Sequence, residues 1–170
     1  MRPKLAPFLA QPMTKELITT LCQSAKDGLD RTFAAVPDDK ISWKPAPTAR
    51  TVLDAFGDAA QTLQFTAQML ESKGDFKPAL GPELFAQLKA ERAQWSREEA
   101  LTHFEMGWSR FKAALEPLTD EQLATPVTLP MRGGMTMSLA GWGMLSYRTL
   151  ISRFAQINYI QTLYGDTQAH

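Results

Sequence analysis

The longest apolar stretch of the chain covers residues 138–165 and reads SLAGWGMLSYRTLISRFAQINYIQTLYG. Its first residue, Ser138, is a typical N-cap, and Gly165 suits the positive φ on which many helices end. Between these two residues, large apolar side chains recur every three or four positions around more than half of a helical circumference. The stretch therefore predicts one long helix, the most buried of the fold. Its apolar residues are Leu139, Trp142, Leu145, Leu150, Phe154, Ile157, Ile160 and Leu163.

Three further long amphipathic helices are predicted ahead of this one. The first covers residues 14–35. The second begins at Thr51, with Asp54 three residues on in a relation like that of a capping box, and the third begins at Ser96, where Glu99 completes a true capping box. The apolar stripe of the first helix is Leu17, Leu21, Ala25, Leu29 and Phe33, widened by Ile18 and Cys22. The stripe of the second is Val52, Phe56, Ala59, Leu63, Thr66 and Leu70, and that of the third is Leu101, Phe104, Trp108, Phe111 and Leu115.

Shorter segments connect these helices. Residues 82–95 predict a short helix that begins at Pro82, a position where proline is well tolerated. The connector at residues 125–137 carries two glycines between β-leaning runs and allows a small hairpin before the last helix. Residues 1–13 contain three prolines and predict an extended arm. The chain, residues 1–170, is thus expected to be one all-α domain, an antiparallel four-helix bundle with a short extra helix.

Composition excludes several classes of protein. The 170 residues include 18 basic and 18 acidic side chains, so the formal net charge is zero and no global positive field attracts nucleic acid or anionic lipid. No stretch approaches the ~18 uninterrupted apolar residues of a membrane span. The lone cysteine, Cys22, cannot form an internal disulfide, and the first residues lack the apolar core of a signal peptide. These features favour a cytoplasmic location.

Familiar catalytic and metal-binding motifs are missing from the sequence. The two histidines are His103, which falls away from the apolar stripe of its helix and is expected in solvent, and His170, the last residue. Neither has a second histidine or a cysteine at the spacing of a transition-metal site. No Gly-x-Ser-x-Gly motif marks a nucleophile, and Cys22 is interpreted as a small buried apolar residue.

One polar stripe on the last helix stands out. Ser146, Thr149, Arg153 and Gln156 follow one another at spacings of three or four, between apolar flanks, and are expected to face the bundle interior. A buried arginine needs an anionic partner, because an isolated charge out of water costs several kcal/mol. Asp58 on the second helix can supply that carboxylate. The alternative is that Arg153 extends along the helix to reach the surface.

Two segments resemble the DinB/YfiT-like superfamily. Residues 43–58, WKPAPTARTVLDAFGD, resemble the segment that enters the second helix in that family, and residues 153–165, RFAQINYIQTLYG, resemble its closing segment. The resemblance implies an up-down-down-up four-helix bundle, often a homodimer. It also implies a divalent metal held by three histidines, together with activities that include thiol transfer, isomerisation and hydrolysis.

The chain departs from that family at the metal site. The positions that match the three histidines carry Asp58, Thr149 and Arg153, and an arginine repels the cation that it would have to neighbour. We therefore expect no metal and no other cofactor. An Asp58–Arg153 ion pair is expected in place of the metal, with Thr149 and Gln156 completing the hydrogen bonding.

Three functions are compatible with these residues. The first is a metal-free binding protein or pseudo-enzyme that takes a small anionic or thiol ligand. The second is a metal-independent thiol transferase, of the glutathione or bacillithiol type, or a hydrolase that uses the same pocket. The third is a purely structural polar stripe in a homodimer. For the first two, the predicted pocket floor is Asp58, Thr149, Arg153 and Gln156, and its apolar wall is Trp142 and Phe56.

Overall fold

The computed structural model describes residues 14–76, 79–130, 133–168 and 170. Most of the described chain is helical, and four long helices form a bundle. The predicted extended arm, residues 1–13, lies outside the described residues. In chain order the elements are α1 (Lys15–Ala34), α2 (Val52–Glu71), α3 (Pro82–Arg92), α4 (Arg97–Leu115), α5 (Asp120–Ala124), β1 (Pro126–Leu129), β2 (Met135–Ser138) and α6 (Leu139–Leu163).

The four long helices run up-down-down-up, which confirms the predicted fold class. α2 and α4 are parallel neighbours, α1 and α6 are parallel neighbours, and α6 is antiparallel to α2. The segment that contains α3 therefore has to return along the bundle before α4 can begin. The contacts Phe56–Phe104 and Glu71–Arg110 establish the direction of α4 relative to α2. Gly28–Phe154 and Thr32–Gln161 do so for α1 and α6. Asp58–Arg153 and Thr66–Ser146 do so for α2 and α6.

Each long helix begins at the cap residue that the sequence predicts. The side chains of Thr14, Thr51, Ser96 and Ser138 each accept a hydrogen bond from a backbone N–H of the first turn. Ser96 also forms a complete capping box with Glu99, the third residue of α4. Because these bonds are local, the sequence alone locates the helix starts.

Burial differs from the predicted pattern in two respects. The most buried helix is α2, because it is packed between α4 and α6 and is also contacted by α3; the prediction of α6 was wrong. Leu17 and Leu101, which begin two of the predicted apolar stripes, are 44% and 38% exposed, whereas Ile18 and Ala100 are buried. Farther along, Phe33 of α1 and Phe104 of α4 are buried as predicted, so only the N-terminal turn of each stripe differs.

A two-stranded hairpin precedes α6, as the glycine-containing connector allows. β1 and β2 pair antiparallel with Val127 opposite Met137, and Gly133 and Gly134 adopt φ values of 84° and 106° in the turn. The indole N–H of Trp142 donates to the Val127 carbonyl over 2.9 Å, which ties the hairpin to α6. Within the described residues, no helix combines the length and the apolar character that crossing a bilayer requires.

Candidate functional site

Arg153 and Asp58 form the ion pair that the sequence predicts between α6 and α2. Arg153 Nε lies 2.8 Å and Nη2 lies 2.6 Å from Asp58 Oδ2, and Arg153 Nη1 donates to Gln156 Oε1 over 3.0 Å. Each side chain of the pair is only 22% exposed. All three nitrogens of Arg153 therefore already donate to protein oxygens.

A second arginine, not predicted from the sequence, reaches the same place from α3. Arg92 Nε donates to Asp54 Oδ1 over 2.7 Å, and Arg92 Nη1 donates to Gln61 Oε1 over 2.9 Å. Arg92 Nη1 also lies 3.6 Å from Asp58 Oδ1. The Arg92 side chain is only 5% exposed, so this is the most deeply buried charge of the site. Asp54, interpreted above as a helix-capping residue, instead directs its carboxylate to Arg92.

A glycine makes room for Arg92 on the surface of α2. A methyl group placed on Gly57 would lie 3.1 Å from Arg92 Cβ and 3.2 Å from Trp95 Cζ3, closer than ordinary van der Waals contact. Gln61 Nε2 in turn donates to the carbonyl of Leu88 over 2.9 Å. Because glycine is unfavourable inside a helix, Gly57 is the sequence signal that could have indicated a close approach here.

A third arginine, Arg50, lies beside the same two carboxylates. Its Nη1 is 3.3 Å from Asp58 Oδ2, and its Nε is 3.6 Å from Asp54 Oδ2. The geometry at Nη1 does not form a hydrogen bond to any described residue, although this atom is shielded from solvent. The cluster of Arg50, Arg92 and Arg153 thus sets three guanidinium groups against two carboxylates.

These charges close one end of a cavity of about 360 Å³ between α2, α3 and α6. Its walls are mostly apolar. We call it the apolar chamber. Its lining residues are Arg50, Asp58, Gln61, Thr62, Phe65, Leu80, Leu84, Phe85, Leu88, Lys89, Arg92 and Leu145.

The predicted pocket residues divide into two groups. Asp58 lines the apolar chamber, whereas Arg153 and Gln156 lie behind it and hold its carboxylate. Thr149 is half-buried one turn before Arg153 and makes no hydrogen bond to a described residue, because Asp58 and Gln156 take the donors of Arg153. Trp142 is buried under the hairpin and does not line the chamber.

Phe56, predicted as apolar wall, is also absent from the chamber. It lies in the core, where its ring stacks on Phe33 with centroids 3.7 Å apart. The wall is instead built from α3 and from residues on its approach, which the sequence pattern did not connect with the site.

The donor set does not suit the divalent metal that the family resemblance implies. Three guanidinium groups surround the two carboxylates, and their fixed positive charge would repel a cation. The imidazole of His103 stacks on Trp95 at 4.2 Å, half-buried rather than in solvent, and His170 bonds to Asp166. Among the described residues, no group of three or more His, Cys, Asp or Glu side chains is placed to hold a metal.

The fold and this internal charged cluster define a helical-bundle protein with a site between its second, short third and last helices. A family model described as DinB superfamily matches residues 23–145, and the chain therefore belongs to the DinB superfamily. No curated protein is significantly similar to it in sequence.

Solved structures share the fold at low sequence identity. One of them is YfiT from Bacillus subtilis, described as a probable metal-dependent hydrolase with an unusual four-helix bundle topology. It is 14% identical to this chain with a TM-score of 0.73, and the match covers 97% of this chain and 94% of that one. A DinB-like protein from Bacillus subtilis is also 14% identical, with a TM-score of 0.64, over 90% and 95% of the two chains. A mycothiol-dependent maleylpyruvate isomerase is 15% identical with a TM-score of 0.68, over 84% of this chain, which spans only 60% of its length.

Proposed function

We propose that this DinB-superfamily protein binds a small molecule that has an apolar body and an anionic group, without the help of a metal. The observation that carries the proposal is the apolar chamber, whose polar end presents Arg50 and Arg92. The apolar body would lie against the leucines of α3 and Leu145 of α6, and the anionic group would lie against the two guanidinium groups.

The position of Arg50 supports an anionic ligand. Its guanidinium lines the chamber on a side chain that is 33% exposed, and a ligand oxygen there would form a charge-assisted hydrogen bond. Arg153 contributes indirectly, because its bonds to Asp58 Oδ2 hold that carboxylate on the α6 side of the site. Arg153 is thus a positioning residue and Arg50 is the ligand-facing cation.

The experiment is a thermal unfolding series with sodium octanoate, 1-octanol and octylammonium chloride, which share one alkyl chain but differ in charge. At about one hundred times its Kd, a ligand stabilises the native state by about 2.7 kcal/mol. For a domain of this size that raises the Tm by about 5–10 °C. We expect the largest shift with octanoate and the smallest with octylammonium.

Two matched variants locate the binding. Leu84→Trp fills the apolar chamber and should abolish the octanoate shift. Ala86→Trp adds the same side chain to α3 outside the chamber and should leave it unchanged. Equal shifts with all three compounds, or a normal octanoate shift in the Leu84 variant, would contradict the proposal.

A metal-independent thiol transferase is the second candidate, because a thiolate is also an anion that the guanidinium of Arg50 would stabilise. The structural likeness to a mycothiol-dependent isomerase is consistent with it. The test is conversion of glutathione and 1-chloro-2,4-dinitrobenzene above the uncatalysed rate. Turnover that disappears in Arg50→Gln would favour this candidate over the binding protein.

We also propose a homodimer formed through the outer side of α6. Ile151, Tyr159 and Leu163 are 39%, 65% and 46% exposed on this helix and would supply the apolar area of the interface. Light scattering of the eluting protein should give twice the chain mass, and Tyr159→Lys should reduce it to the monomer value. A monomer before the substitution would exclude this interface.

A further inference from the structure

A second cavity, of about 300 Å³, lies on the other side of the same basic residues. It shares Arg50, Lys89 and Arg92 with the apolar chamber and adds Lys44 from the segment before α2. Its lining combines the hydroxyl groups of Ser42, Thr48 and Thr51 with Leu53 and the carboxylate of Asp54. We call this second cavity the polar chamber.

We propose that the two chambers form one divided site for an amphiphile with a dianionic head, such as a phosphate monoester or a dicarboxylate. The head would occupy the polar chamber and the apolar tail would occupy the apolar chamber, with the shared arginines between them. This inference rests on the proposed function and specifies the class of its ligand.

The charge of the lining residues argues for two negative charges rather than one. Four basic side chains, Lys44, Arg50, Lys89 and Arg92, line the two chambers, against the two carboxylates of Asp54 and Asp58. Asp58 is also paired with Arg153 from behind. The surplus is therefore at least two positive charges, in a protein whose formal net charge is zero. A dianionic head would neutralise that surplus.

The shape of the site argues for a ligand with two unlike ends. Phe65, Leu84, Leu88 and Leu145 cannot satisfy a charged group, so the part of the apolar chamber that they line suits an alkyl tail. The hydroxyls and ammonium groups of the polar chamber bond well to phosphate or carboxylate oxygens. A single short acid such as octanoate would use the apolar chamber but leave most of the polar chamber to water.

The test compares octyl phosphate with octyl sulfate by isothermal titration calorimetry. The two compounds share one alkyl chain and a tetrahedral head, but at pH 8 the phosphate carries close to two charges and the sulfate one. We expect octyl phosphate to bind about tenfold tighter at pH 8, which is about 1.4 kcal/mol. At pH 5, below the second phosphate pKa of about 6, the two should bind almost equally. The sulfate titrations at both pH values control for titration of protein groups.

Variants assign the preference to the polar chamber. The double substitution Lys44→Ala/Lys89→Ala removes two exposed cations and should reduce the advantage of phosphate over sulfate to about twofold or less. Lys112→Ala, an exposed lysine of α4 that lines neither chamber, should leave it intact. Equal binding of phosphate and sulfate at pH 8, or an unchanged preference in the double variant, overturns the inference. The proposed function survives that result as long as both compounds bind and Leu84→Trp blocks them.

Discussion

Arg92 offers the sharpest test of how the charged cluster contributes to stability. Arg92→Met keeps an unbranched stem against Gly57 but removes the 2.7 Å bond to Asp54 and the 2.9 Å bond to Gln61. Asp54 is then left as a carboxylate only 15% exposed, with Arg50 3.6 Å away. Removing one partner of a buried ion pair typically costs 3–5 kcal/mol. Because Arg50 still screens Asp54, we expect a loss of about 3 kcal/mol.

Urea unfolding followed by far-ultraviolet circular dichroism measures this loss. For a chain of this length the corresponding fall in Tm is about 6–12 °C. The double variant Asp54→Leu/Arg92→Met removes both charges, so no carboxylate is left without its partner, and it should be clearly more stable than Arg92→Met alone.

Arg110→Met is the matched control for this experiment. Arg110 also forms two short bonds to one carboxylate, that of Glu71, at 2.8 and 2.7 Å, but the two side chains are 42% and 40% exposed. Exposed pairs contribute about 1 kcal/mol or less. If Arg92→Met costs no more than Arg110→Met, burial of Arg92 does not have the energetic consequence that we assign to it.

Three further predictions test other parts of the structure. Asp58→Ala and Arg153→Ala should each lower the free energy of unfolding by about 2–3 kcal/mol, and the double variant should lose much less than their sum in a urea double-mutant cycle. Burial raises the pKa of Cys22 to about 12, so between pH 9 and pH 12 the unfolded chain has lost a proton that the folded chain keeps. Relative to neutral pH, the contribution of Cys22 to the free energy of unfolding should therefore be about 1.4 kcal/mol lower at pH 10. Cys22→Ala should show a smaller loss of stability at alkaline pH in thermal melts. Gly57→Ala should lower the free energy of unfolding by disturbing the contact of α3 with α2, despite the better helix propensity of alanine. Gly143→Ala, whose new methyl group would have its nearest neighbour 3.6 Å away, should be neutral or stabilising by up to about 1 kcal/mol. The reverse order would mean that α3 shifts freely on α2.

The ion pair of Asp58 and Arg153 could be predicted from the sequence by combining helical periodicity with the cost of burying a charge. The stripe of α6 predicts an inward arginine, and the cost of burying its charge predicts a carboxylate nearby. Both expectations are met at 2.6 and 2.8 Å. Their assignment as ligand-binding residues stays a prediction, and the structure sets Arg153 behind the chamber rather than on its wall.

The packing of the short helix α3 could not be predicted by the same reasoning. Its apolar side was predicted from Leu84, Phe85 and Leu88, but no pattern within residues 82–92 reveals which helix it covers. Phe85 is 53% exposed, whereas the charged Arg92 is buried. A propensity-based interpretation expects the opposite arrangement.

The sequence by itself determined the helix starts and the four amphipathic helices, and it allowed the hairpin before α6, because caps, turns and apolar periodicity act over a few residues. The up-down-down-up order of the helices was implied only by the family resemblance. Only the tertiary structure decided that Arg92 reaches the carboxylates of α2. Arg50 directly precedes α2 and stands four residues before Asp54, which is a local spacing, whereas nothing local distinguishes Arg92 from a solvated surface residue. The position of Arg92 follows from the return of the chain between two parallel helices and from the space that Gly57 leaves, which are properties of the packed fold.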